Sequence, residues 1–135
     1  MRACWTRTLA VLFTVSLVGC TASSPNYKTF TLPSGKQIRV IGVGQIKFSH
    51  GTPALMLQYQ TDLKVVDVAA LRAEADEIWP VFKNDVERAN LKAAIISANE
   101  IPQGFIIKRG NSYNFVYEEQ ADGTWRRLDS ASQNK

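Results

Sequence analysis

Residues 67–90, DVAALRAEADEIWPVFKNDVERAN, decide the fold. Turning successive residues by about 100° gathers Val68, Leu71, Ala75, Ile78, Trp79, Phe82, Val86 and Ala89 into one apolar arc. The spacing predicts a helix from about Val68 to Arg88. Asp67 stands in front of it as N-cap, because a short carboxylate can accept the orphan N–H groups of the first turn. Asn90 suits the left-handed position after the helix, with Leu91 folding back on the last turn. Pro80 projects away from the arc, so its missing N–H is expected to bend the helix with the convex side toward solvent. Arg72 and Asp76, and Lys83 and Glu87, are four apart along one flank and read as an exposed ion-pair ladder. Glu74, Glu77 and Asp85 fall outside the arc and read as solvated charge.

A single apolar stripe needs a surface to lie on, and the sequence on either side of it has strand character. Phe30 and Leu32 alternate with threonines, residues 33–36 (PSGK) offer a turn, and Ile38, Val40, Val43, Ile46 and Phe48 continue the apolar signal. The parity slips around Gly42 and Gly44, as a bulge within one long strand would make it. No helix start follows these glycines, so they form no phosphate loop. Residues 50–53 (HGTP) make the next turn, after which Leu55, Leu57 and Tyr59 alternate with Met56, Gln58 and Gln60. Beyond the helix, 93–98 (AAIISA), 105–109, 113–120 and 124–128 are strand candidates. Gly110-Asn111 and Asp122-Gly123 suit two-residue hairpin turns. The expected architecture is α+β: an antiparallel sheet of about six or seven strands, order βββ-α-ββββ, packed on one long bent helix.

Tight turns would fix the register. Phe105 would face Val116, Ile107 would face Asn114, and Trp125, Arg126 and Arg127 would face Gln120, Glu119 and Glu118. Tyr113, Phe115, Tyr117, Ile106 and Leu128 would then share one face, and Phe105, Ile107, Val116 and Trp125 the other. One helix cannot cover both. Either the amino-terminal strands curl over the second face as a roll, or Phe105, Ile107, Val116 and Trp125 form a docking surface for an envelope protein, with Trp125 as anchor. A pocket between helix and sheet near Tyr59 and Trp79 would instead suit a small-ligand carrier.

The first twenty residues carry an address. Arg2 and Arg7 precede an uncharged apolar run, 8–18 (TLAVLFTVSLV), of signal-peptide length and too short to span a bilayer. It ends in Leu17-Val18-Gly19-Cys20, which resembles the lipobox of bacterial lipoprotein precursors. The resemblance covers only this segment. It implies a diacylglyceryl group on the Cys20 thiol, cleavage before Cys20, acylation of the new amino terminus, and a firm hold on the membrane, since two or more chains anchor where one does so marginally. Thr21 follows the cysteine where an aspartate would favour inner-membrane retention, so the outer membrane is expected, with the domain on the periplasmic side. Residues 1–19 would be the signal, 20–27 the lipidated cysteine and tether, 28–130 one α+β domain and 131–135 a polar tail.

The chain has 135 residues, 45% hydrophobic and 21% charged, which fits one globular domain and not a disordered chain. Its formal charge of +4 falls to +2 once Arg2 and Arg7 leave, because 14 of the 16 basic residues then face 12 acidic ones. No nucleic-acid partner is argued from that balance. Cys4 would leave with the signal and Cys20 would be lipidated, so no disulfide or thiolate site remains. His50 is the one histidine, no zinc site can be assembled around it, and no metal or other cofactor is expected. Ser49 and Ser97 lie in no nucleophile elbow. The expected function is a non-enzymatic protein-binding lipoprotein: an envelope accessory, an inhibitor or an immunity-type factor. The alternatives are a small-ligand carrier and a hydrolase.

Overall fold

The computed structural model describes residues 28–49, 51–104 and 110–128. Cys20, His50, Phe105, Ile107 and the expected strand 105–109 lie outside them. The elements run β1 (Lys28–Thr31), β2 (Gln37–Ile46), β3 (Ala54–Thr61), α1 (Val68–Arg88), β4 (Ala93–Glu100), β5 (Ser112–Glu119) and β6 (Trp125–Leu128). The class is α+β, with one sheet of six strands in the order β1-β2-β3-β4-β5-β6.

The helix has the expected bounds and caps. Asp67 accepts from the Ala70 N–H at 3.3 Å. Asn90 has φ 54°, its N–H donates to Glu87 O at 3.0 Å, and Leu91 N–H reaches Val86 O at 3.2 Å. Together these two bonds make a Schellman closure. Pro80 is on the exposed side.

The sheet is mixed and not antiparallel, because β3 and β4 pair in parallel from Ala54↔Ala93 to Thr61↔Glu100. The 21 residues of α1 rise about 30 Å, enough to carry the chain back along a strand of eight residues, so β4 starts at the same end as β3. Residues 93–98 are buried throughout, as suits a central strand with neighbours on both sides.

The three amino-terminal strands lie in the same sheet as the others, with β1 and β6 at its two edges. The expected bulge is present between Val40 and Gly42.

The carboxy-terminal register differs from expectation. β5 is flanked by β4 (Ile96↔Phe115, Ile95↔Val116) on one edge and β6 on the other. The β5–β6 turn holds three residues between Gln120 and Thr124, closed by Gln120 N–H to Thr124 O at 2.7 Å. Gly123, φ 81°, supplies its left-handed residue. The extra residue slides the pairing by one, to Glu119↔Trp125, Glu118↔Arg126 and Tyr117↔Arg127. A one-residue slip reverses which face a side chain occupies. Trp125 therefore lies with Tyr117 under the helix, and the expected outward anchor is corrected.

Leu71, Ala75, Ile78, Phe82 and Val86 of α1 pack on Ile38, Leu57, Tyr59, Ala94, Ile96, Ala98, Phe115 and Tyr117. On the opposite side of the sheet a smaller group, Ala54, Ala93 and Ile95, collects Ile46, Met56 and Val116.

Candidate functional site

Three features of this layer pair could carry chemistry or recognition. The first is a buried carboxylate. Glu74, expected in solvent, is 5% exposed. Its Oε2 accepts from Tyr59 Oη at 3.0 Å and Thr61 Oγ1 at 2.9 Å, and its Oε1 forms an ion pair with Lys36. Glu77, one turn on, accepts from the Ser34 N–H at 2.8 Å. These bonds fasten α1 both to β3 and to the β1–β2 turn. Burial, reinforced by the adjacent carboxylate, pushes the Tyr59 phenol far above its usual range, so it stays a donor. Every oxygen of Glu74 is engaged by the protein itself. The cluster is a structural tie, and nothing in it is poised to abstract a proton or attack a substrate.

Tyr59 is thus part of that tie and does not face a ligand. Trp79 stacks on Tyr117 at 4.0 Å with a 6° interplanar angle and meets Trp125 edge-on at 5.3 Å. Beside this aromatic group Arg127 pairs with Asp76. Burial lowers the Arg127 pKa, but its hydrogen bond to Tyr117 and the Asp76 charge outweigh that and hold it above the ordinary value. The expected pocket at Tyr59 and Trp79 is therefore filled by the protein.

A cleft between α1 and the sheet does exist, on the other flank. It holds about 250 Å³ and is lined by Phe30, Ile38, Val40, Val43, Leu57, Ile78, Val81 and Phe82, with Lys28, Thr29 and Asp85. The bulge at Ile41 matters here. Val40 lies opposite Tyr59 and Val43 opposite Leu57, so the extra residue puts both valines on the helix side. The slipped parity in the sequence was the only signal of this, and it does not reveal a cleft.

The third feature is the sheet face away from α1. No described element lies over it. Its centre is Ile46, Met56, Ile95 and Val116, and a shallow hollow of about 280 Å³ runs along Gly42, Gly44, Ile46, Met56 and Gln58. Gln58, Ser97, Asn99 and Asn114 continue the same face, since Gln58↔Ser97 and Ser97↔Asn114 are paired neighbours. Of the residues expected to dock a partner, Val116 is here, half-buried beside Ile95. Trp125 is on the helix side, and Phe105 and Ile107 lie outside the described residues.

Other ion pairs are local. Lys83 meets Glu87 at 3.5 Å, as the ladder predicts, whereas Asp76 is taken by Arg127. Asp85 binds Arg88 at 2.8 Å, and Lys92 pairs with Glu119. Ser97 is buried and Ser49 exposed. Among the described residues no three of His, Cys, Asp or Glu gather as metal ligands, and no helix is long and apolar enough to cross a membrane. No protein family, curated protein or solved structure matches this chain.

Proposed function

We propose that this chain is a small envelope lipoprotein, anchored by acylated Cys20 at the outer membrane, that acts without catalysis by binding an envelope protein through the sheet face opposite α1. The observation that carries the binding role is that face itself: part-exposed Ile46, Met56 and Val116 around the buried Ile95, bordered by the amides of Gln58, Asn99 and Asn114. An apolar centre with a polar border is the usual anatomy of a protein interface. The anchor is supported by the lipobox-like run 17–20, and the non-catalytic role by a buried carboxylate cluster whose oxygens are already occupied.

Crosslinking in the native envelope, followed by mass spectrometry, tests the binding role. Met56→Glu and Val116→Glu place a charge in the centre of the face, and each is expected to abolish the partner crosslink at unchanged abundance. An identical crosslink pattern in both variants refutes the interface. For the anchor, Cys20→Ser is expected to move the protein out of the membrane fraction or leave it uncleaved, and unchanged partitioning refutes lipidation.

A further inference from the structure

We propose that the cleft between α1 and the β1–β2 wing binds the hydrocarbon chain of one long-chain fatty acid, with its carboxylate at Lys28. The argument starts from widths. A helix with side chains is about 10–12 Å across and strands are about 4.8 Å apart, so one helix covers roughly half of a six-stranded sheet. On the β5–β6 flank the uncovered strip is filled by large rings, Trp79 stacked on Tyr117 and edge-on to Trp125. On the β1–β2 flank the corresponding positions are Val40, Val43 and Val81, and the space they fail to fill is the cleft.

Its floor is core: Leu57 and Phe82 are among the buried residues. The rim is also apolar, and it is left in water, with Val43 53% and Val81 47% exposed. Such a surface gains by receiving hydrocarbon. A volume of about 250 Å³ lies just below the roughly 300–1,000 Å³ of drug-sized ligand sites, which suits a single narrow chain.

Charge selects the head group. Asp85, at the cleft wall, is engaged by Arg88 at 2.8 Å. Lys28, also at the wall and exposed at the start of β1, has no carboxylate partner among the described residues. An ammonium with no carboxylate partner among the described residues, beside an aliphatic cleft, favours an anionic amphiphile over a neutral or cationic one. This site lies on the opposite side of the sheet from the proposed protein-binding face and needs no lipid on Cys20, so the two readings stand or fall separately.

The test is a fluorescence titration of the full chain, kept soluble in an amphipathic polymer, with cis-parinaric acid. Saturable uptake of one equivalent, displaced by palmitate, is expected. Hexadecanol should displace at least tenfold more weakly, and Lys28→Glu should weaken palmitate at least tenfold while leaving hexadecanol unchanged. Val81→Glu, and independently Val43→Lys, should abolish uptake while far-UV circular dichroism is preserved. Val66→Glu puts the same charge at an exposed valine away from the cleft and should change nothing. Overturning results are an absence of saturable uptake by the wild type, or uptake that survives both cleft variants. Equal displacement by palmitate and hexadecanol overturns the role of Lys28.

Discussion

Replacing Glu74 with alanine is the most direct probe of what holds the layers together. The substitution strips the acceptor from Tyr59 Oη and Thr61 Oγ1, both on residues at most 3% exposed, and removes the partner of Lys36. An orphaned buried donor costs about 1–3 kcal/mol. The Lys36 side chain is 35% exposed, so its ion pair is discounted to well under about 1 kcal/mol. The two hydroxyls therefore dominate, and the loss is about 2–6 kcal/mol, each kcal/mol lowering Tm by roughly 4–8 °C in a domain of this size. Tyr59→Phe removes one donor and leaves the carboxylate bonded to Thr61 and Lys36, so it should cost only about 1 kcal/mol. In the double variant the phenylalanine ring leaves no orphan hydroxyl, and the cycle should return a coupling of about 1–2 kcal/mol. Urea unfolding followed by circular dichroism measures all four corners. A Glu74→Ala protein melting within about 2 °C of wild type, or a coupling near zero, refutes the argument that α1 is tied to β3 through this carboxylate.

Three further outcomes are expected. Trp125→Ala should cost about 2–4 kcal/mol by chemical denaturation, because Trp125 packs edge-on against Trp79 under the helix, whereas a cost below about 0.5 kcal/mol would restore the outward register. Asn90→Val should cost about 1–2 kcal/mol and Asn90→Gly almost nothing, since φ is 54° there and a β-branched residue resists it; equal melting temperatures would disprove the left-handed cap. Glu100 is held below the usual carboxylate range, first by the Val65 N–H at 2.8 Å and further by Asn111 and the Lys64 charge. A depressed folded-state pKa means stability that is present above the unfolded value and is lost as pH falls through the folded one. The acid limb of a urea-midpoint profile should therefore be shallower in Glu100→Gln than in wild type, and an unchanged slope would contradict the assignment.

The covered half of the fold was legible in local chemistry. A stripe repeating at helical spacing, a carboxylate before it and an asparagine after it depend on neighbours within one or two turns, and the structure has Val68–Arg88 with both caps. The glycine-marked parity slip in β2 likewise reports a local event, and the bulge falls there. The β5–β6 turn was the failure at this level. Asp122-Gly123 looks like a two-residue turn, but Ala121 joins it, and that single residue moved Trp125 from one face to the other.

By itself, the sequence determined where the helix begins and ends and which of its faces is buried, because caps and periodicity act over a few residues. Only the tertiary structure decided the parallel pairing of β3 with β4, the burial of Glu74, the filling of one flank by three aromatic rings and the cleft left on the other. Each of these depends on groups far apart in the chain, such as Glu74 with Lys36 or Trp79 with Trp125. A carboxylate on the edge of an apolar stripe has the same local pattern whether it meets water or two hydroxyls, and the energy that separates those outcomes is supplied by the partner.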